Sequence, residues 1–182
     1  LTACITTFNR PDFLEESLNS LIKQTNRNFE ILILDNGSDS VTEKIINNLQ
    51  KDQNNIFYKR HNPMPISEQR NFALSLVQTK YLGFLDDDDI WDNSKVQEFF
   101  NFLKEINQKD IALWYSGFKF FKDVNKERIF SNKIIDPYSD LKSLLLQRGD
   151  FTGSASNPIL NVKFAKKLNG FDNKILTGED YE

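Results

Sequence analysis

Four short apolar, β-prone runs alternate with segments of helical spacing over residues 1–106. That alternation constrains the fold more than any other feature of the chain. Ala3-Cys4-Ile5-Thr6 reads as a buried strand. Asn9-Arg10-Pro11 then opens a helix, with Pro11 at its first position and Leu14, Leu18, Leu21 and Ile22 at helical intervals. Phe29 to Leu34 is nearly all apolar, as in a strand covered on both faces, and runs into the loop residues Asp35-Asn36-Gly37-Ser38. Val41, Ile45 and Leu49 mark a second helix, and Ile56 to Lys59 a third strand. Ser67 is placed to cap a helix that turns Ala73, Leu76 and Val77 inward. Tyr81 to Leu85 is a fourth strand leading straight into Asp86-Asp87-Asp88-Asp89, and Val96, Phe99, Leu103 and Ile106 repeat as a further helix.

This order predicts an α/β fold with a mainly parallel sheet and helices on both faces. Ligands of such sheets bind beyond the carboxyl ends of the strands. Thr6-Thr7, Asp35-Asn36 and Asp86 to Asp89 all fall there, so the sequence brings them to one site. The second half reads differently. Ile111 to Phe121 is rich in β-formers, with Arg128 to Phe130 as a pairing partner. Leu141, Leu144 and Leu145 suggest a short helix, and the chain is extended around Pro158-Ile159-Leu160. Phe164, Ala165 and Leu168 mark a last helix, with Gly170 as its C-terminal cap. No repeat or linker divides the 182 residues, which suit one domain. The start at Leu1 and the abrupt end at Glu182 are those expected of a piece of a longer chain.

Composition excludes several classes. A net charge of −3 argues against a nucleic-acid partner, which usually meets a basic surface. No apolar run approaches the roughly 20 residues that cross a bilayer. Cys4 is the only cysteine and His61 the only histidine, so neither an internal disulfide nor a zinc site is expected. Any metal should be a hard cation held by oxygen. Cys4 reads as a small core residue and His61 as a surface or capping residue. Asp35-Asn36-Gly37-Ser38-Asp39 is not a calcium loop, because Ser40 and Ile46 stand where Gly and Glu are needed. Glycine-rich phosphate loops are absent, and Ser154 lies in no nucleophile elbow.

The acidic run carries the most chemistry. Two carboxylates about 4 Å apart repel by roughly 4 kcal/mol at an effective dielectric near 20. A divalent cation removes that repulsion, and Mg²⁺ or Mn²⁺ characteristically combines one or two carboxylates with substrate phosphates. The ordinary reading of a short acidic run is a solvated loop. Its place directly after a buried strand argues for a metal diphosphate instead. Arg70 opens a helix just before that strand and reads either as an exposed helical arginine or as a cation that reaches a nucleotide.

Five motifs in order then resemble glycosyltransferase family two with its GT-A fold. They are Ile5-Thr6-Thr7-Phe8-Asn9-Arg10-Pro11, Ile33 to Ser38, Gln69-Arg70-Asn71-Phe72-Ala73, the acidic run with Trp91, and Asn169-Gly170-Phe171-Asp172 followed by Gly178-Glu179-Asp180. The resemblance implies a Rossmann-like nucleotide-binding half over residues 1–92 and an acceptor-side half over 93–182. It implies that Thr6 and Phe8 line a nucleobase pocket and that Asp35 and Asn36 contact the base, with Asn36 where many members have Asp. It places Arg70 near the nucleotide, Asp86 and Asp88 on Mn²⁺ or Mg²⁺, Asp87 near the ribose or sugar, and Asp180 as the catalytic base. The implied activity is an inverting transfer from a nucleotide sugar, UDP-linked by expectation, to a saccharide or lipid-linked saccharide acceptor. The implied setting is bacterial surface-polysaccharide synthesis in the cytoplasm, with peripheral association of the full-length protein at the inner face of the membrane. Two alternatives stay open at this point. One is a haloacid-dehalogenase-like phosphatase using Asp86 as nucleophile and Asp88 as acid. The other is an inactive nucleotide-sugar-binding module.

Overall fold

The computed structural model describes residues 1–51, 53–106, 111–123, 126–131 and 154–175. Strands β1 (Thr2–Thr7), β2 (Glu30–Asp35), β3 (Ile56–Arg60) and β4 (Tyr81–Asp86) alternate with helices α1 (Pro11–Ile22), α2 (Ser40–Gln50) and α3 (Ile66–Leu76), and α4 (Lys95–Glu105) follows β4. The second half contributes β5 (Leu113–Trp114), β6 (Phe118–Asp123), β7 (Lys126–Ser131), β8 (Ile159–Asn161) and helix α5 (Val162–Lys167).

The main sheet runs β3-β2-β1-β4-β8-β5. The first four strands are parallel, β8 is antiparallel to β4, and β5 is antiparallel to β8. The α/β fold with a mainly parallel sheet is thus as the sequence reads. Every residue of β1 is buried, because β1 lies between β2 and β4 and has helices on both faces. Its side chains alternate between two cores. Ala3 and Ile5 join Ile31, Ile33 and Leu85 against Leu14, Leu18 and Leu21 of α1, Ile46 of α2, and Val96 and Phe99 of α4. Cys4 joins Leu32, Leu34, Leu82 and Phe84 against Ala73 and Leu74 of α3, with Val77 and Val162. Burying one such aliphatic side chain contributes about 1.5–3 kcal/mol, so the two layers fix the sheet before any polar contact is made.

Two local readings change, and the cap read at Gly170 holds. Ser67 does not cap α3: Pro65, with φ −56°, stands before the first helical residue, and Ser67 lies fully buried inside the first turn. Proline's fixed φ supplies the entry that a capping side chain would otherwise give. The β-rich stretch over 111–121 divides, β5 joining the main sheet and β6 pairing with β7 as a separate hairpin. The break falls at Ser116, whose N–H donates to Asn157 Oδ1 at 3.2 Å and whose carbonyl accepts from Asn157 Nδ2 at 2.8 Å, so a side-chain amide stands in for a neighbouring strand. At the end of α5, Asn169 and Gly170 both take left-handed backbone (φ 68° and 72°), and the Gly170 N–H closes the last turn on Ala165 O at 2.9 Å. The helix read from Leu141, Leu144 and Leu145 lies outside the described residues.

Gly83 leaves no room for a side chain: a Cβ there would meet Trp91 Cη2 at 2.7 Å. Trp91 is 3% exposed and donates its indole N–H to Ser156 O at 2.6 Å, so it has little room to yield. Gly83→Ala should cost about 1–3 kcal/mol of stability through overpacking, read as a lower denaturant midpoint at unchanged m-value.

Candidate functional site

The parallel register brings the strand ends together. Thr7 lies opposite Asp35 and Thr6 opposite Asp86, so the polar residues that end β1, β2 and β4 meet on one edge. A cleft of about 400 Å³ opens there, lined by Thr6, Thr7, Phe8, Arg10, Asn36, Ile66, Gln69, Asp86, Asp87 and Asp88. That volume lies within the range of small-molecule and cofactor sites.

The four aspartates are sorted by a tight turn in which the Asp89 N–H donates to Asp86 O at 3.1 Å. Asp87 points inward and is 6% exposed. It accepts from the Thr7 hydroxyl at 2.7 Å and from Arg10 Nη1 at 3.1 Å. Burial pushes its carboxyl above the usual carboxylate range, and the bonds from Thr7 and Arg10 pull against that rise. Asp86 and Asp88 are more open, with side chains 34% and 51% exposed. Arg10 Nη1 also reaches Asp88 Oδ2 at 3.0 Å. Asp89 accepts from the Ser154 hydroxyl at 3.3 Å.

Among the described residues no cluster of three or more His, Cys, Asp or Glu side chains can hold a metal ion by itself. Asp86 and Asp88 offer two cleft-lining carboxylates at the mouth of β4. That donor set fits a hard cation that completes its shell with substrate phosphates and water, and it does not fit an all-protein cage.

The remaining sequence candidates divide. Thr6, Phe8 and Asn36 line the cleft, Phe8 with half its surface exposed. Asp35 is fully buried behind it: the Ser38 N–H donates to Oδ1 and the Tyr58 hydroxyl to Oδ2, both at 2.7 Å. Burial and that bond raise the Tyr58 phenol. Asp35 therefore shapes the loop that presents Asn36. Arg70 is buried too, with its guanidinium 5.6 and 5.7 Å from the ring centres of Phe84 and Phe171, which pack edge to face on each other, and Nη2 3.7 Å from Asp86 Oδ1. Asn71 exchanges both amide atoms with the Phe171 backbone at 2.8 Å, so the Gln69-Arg70-Asn71 and Asn169-Gly170-Phe171 motifs are joined in space. Asp180 lies outside the described residues.

Thr7 lines the cleft beside Thr6, as the strand-end placement implies, whereas the sequence assigns no site role to Arg10 or Gln69. Gln69 donates Nε2 to Met64 O at 3.1 Å, and its buried Oε1 has no hydrogen-bond partner among the described residues. Asn36 Oδ1 accepts from the N–H of the same Met64 at 2.8 Å. Helical spacing carries the signal for Gln69, since Ile66 and Gln69 are three apart and share the face that meets the cleft.

A buried cation ties the second half to this edge. Lys95 Nζ donates to Asn157 O and Oδ1, both at 2.9 Å, and lies over the rings of Trp91 and Trp114 at 5.2 and 5.4 Å. The same segment supplies the Ser156 hydroxyl that accepts from the Asp86 N–H at 2.9 Å. Burial pushes the Lys95 ammonium down to about 7, against the opposing charge of Asp92. In the unfolded chain it titrates near its ordinary 10.5, so between these values the unfolded state holds the extra proton and folding gains as pH rises. The thermal midpoint of the wild type should therefore rise relative to that of Lys95→Met between pH 7 and pH 10. Parallel pH profiles for the two proteins would remove the effect.

A family model described as Glycosyl transferase family 2 matches residues 2–168. An uncharacterized glycosyltransferase of Methanocaldococcus jannaschii, MJ1057, is 29% identical over 192 residues, which cover 100% of this chain and 62% of the relative. The Escherichia coli protein named UDP-Glc:alpha-D-GlcNAc-diphosphoundecaprenol beta-1,3-glucosyltransferase WfaP is 30% identical over 128 residues, 70% of this chain and 49% of its own length. The chain thus spans less than two thirds of either relative. The crystal structure of Staphylococcus aureus TarS superposes with a TM-score of 0.70 at 22% identity, over 99% of this chain and 32% of TarS, a likeness of fold.

Proposed function

The chain belongs to glycosyl transferase family 2, and from that premise we propose that it holds the donor site of an enzyme moving a sugar from a nucleoside diphosphate to an acceptor hydroxyl. The observation that carries this reading is the cleft at the strand ends, where Thr6, Phe8 and Asn36 share a wall with Asp86 and Asp88. Phe8 offers a half-exposed ring for stacking on a base. The Asn36 amide on the cleft wall offers hydrogen bonds to its edge. Uridine is the base we favour, since a relative 30% identical is named for UDP-Glc. The phosphatase alternative leaves Phe8 and Asn36 without a task and has no support in the family match.

Asp86 and Asp88 are the residues that would hold Mn²⁺ or Mg²⁺, Asp88 the more directly, with Asp87 close to the ribose or sugar. The bound cation offsets the charge that grows on the diphosphate leaving group. The protein's own part is to hold the sugar nucleotide so that the acceptor reaches the anomeric carbon. Asp180 takes the proton of the attacking hydroxyl. Attack from the face opposite the diphosphate inverts the anomeric centre, and the bond to the phosphate oxygen breaks as the new glycosidic bond forms. Arg70, packed against the rings of Phe84 and Phe171, steadies Asp86. A saccharide or lipid-linked saccharide is the acceptor class, in the building of a surface polysaccharide. The reaction is placed in the cytoplasm at the inner face of the membrane. No helix among the described residues is long and apolar enough to cross a membrane.

Two substitutions test this reading. Asp88→Ala should weaken UDP binding in Mn²⁺ by about tenfold or more and leave the metal-free affinity unchanged. Calorimetry with and without Mn²⁺ reads both, and equal affinities in the two conditions would sink the metal site. Asp180→Asn should remove transfer by a factor of about 10² or more while sparing donor binding. Near-normal turnover by that variant would move the base elsewhere.

A further inference from the structure

Arg10 lies on the cleft wall, yet no step of the proposed reaction employs it. One nitrogen, Nη1, bridges Asp87 Oδ1 at 3.1 Å and Asp88 Oδ2 at 3.0 Å. The two pairs are unequal. Asp87 is nearly buried and has the Thr7 hydroxyl as a second donor. Asp88 is half exposed, and Arg10 is its only hydrogen-bond partner among the described residues. A pair between two half-exposed groups is weak and readily given up, whereas removing a partner from a buried carboxylate is costly.

The base of the side chain is fixed. Asn9 adopts left-handed backbone (φ 53°), which asparagine tolerates better than most residues. Its N–H donates to Ser38 Oγ at 2.8 Å, and its Oδ1 accepts from the Asp39 N–H at 2.9 Å. Pro11 follows as the first residue of α1. The freedom that remains belongs to the side chain, whose guanidinium rests 5.9 Å from the Phe13 ring centre and is half exposed. A guanidinium carries five N–H donors in a planar fork. Among the described residues Arg10 uses one nitrogen for hydrogen bonds, which leaves Nε and Nη2 as further donors on a side chain that lines the cleft.

We propose that Arg10 is a displaceable counter-charge: it holds Asp87 and Asp88, yields Asp88 to the divalent cation that arrives with the donor, keeps Asp87, and turns its freed donors to the diphosphate. This rests on the reading of Asp88 as a metal carboxylate. The arrangement makes Arg10 oppose a bare cation and favour a cation bound with a nucleoside diphosphate. Metal and nucleotide binding are then coupled through one side chain, and by linkage each strengthens the other by the same factor. Arg10 is a positioning residue in this scheme, and no proton or covalent step passes through it.

The test measures Mn²⁺ affinity by electron paramagnetic resonance, with and without UDP, on the full chain. Arg10→Gln should bind Mn²⁺ alone about fivefold more tightly than wild type, because a repelling charge and a competitor for Asp88 are gone. The same variant should bind UDP in Mn²⁺ about tenfold more weakly, so the coupling between the two ligands falls. Arg10→Lys keeps the charge but not the fork. It should match wild type for Mn²⁺ alone within about twofold and still lose UDP affinity, and it carries the test if the glutamine variant does not fold. Unchanged Mn²⁺ affinity in Arg10→Gln, or full UDP affinity in Arg10→Lys, overturns the proposal. A failure of the metal reading shows separately: wild type would bind UDP no better with Mn²⁺ than without, before Arg10 is altered.

Discussion

A buried carboxylate must be met by donors, and in this chain the meeting of Asp87 with Thr7 and Arg10 decides how the site is built. The Thr7 hydroxyl comes from the last residue of β1 and Arg10 from the residue before α1, while Asp87 follows β4 directly. These bonds join segments 77 and 80 residues apart. They are possible because β1 and β4 run parallel and in register to Thr6 and Asp86, so both strands end at the same height. The apolar layers supply that register, and the polar contacts add little to the fold's stability by comparison. What they supply is orientation. With Asp87 turned inward, the tight turn leaves Asp86 and Asp88 on the cleft wall.

The second half of the chain is attached to the same edge by different means. The Ser156 hydroxyl accepts from the Asp86 N–H, the Ser156 carbonyl from Trp91, and Asn157 takes the buried ammonium of Lys95. Trp91 in turn packs where Gly83 has no side chain. Each contact starts within or just after the acidic run, so the run positions the second half of the chain as well as lining the cleft. On the other face of the sheet, Asn71 and Arg70 grip Phe171. A displacement of either attachment would therefore reach the strand end that carries Asp86.

The regular part of this arrangement is legible in the sequence because it follows from periodicity. The four parallel strands, their helices and the strand-end placement of the acidic run need only apolar spacing and turn chemistry. The side-chain assignments at the edge are harder. Asp35 and Asn36 are neighbours in a loop, and which one meets the cleft depends on a Tyr58 hydroxyl and a Ser38 N–H that close around Asp35. Periodicity does not report such contacts. Arg70 stands out by its charge, whereas the helix turns Gln69 to the cleft and packs Arg70 against two rings that are far apart in sequence. Arg10 is likewise an unremarkable helix-start arginine until β4 is placed beside β1. The division of residues 111–121 depends on Asn157, which the local sequence cannot supply.

Four identical residues in a row carry no instruction about which should face a ligand, so the division of labour must come from geometry. The turn that closes Asp89 on Asp86 sets the four side chains apart, and burial raises the cost of charge on Asp87. A carboxylate whose charge is costly and already met by two donors has little to offer a cation. The open carboxylates on either side have more, since their side chains are 34% and 51% exposed on the cleft wall. The same reasoning keeps proton transfer out of the run. A group that must take a proton from an acceptor should be free of permanent cations, and each of these three aspartates has an arginine within 4 Å. In the reading proposed above, the run holds a charged donor in place and the acceptor's chemistry belongs to residues beyond it.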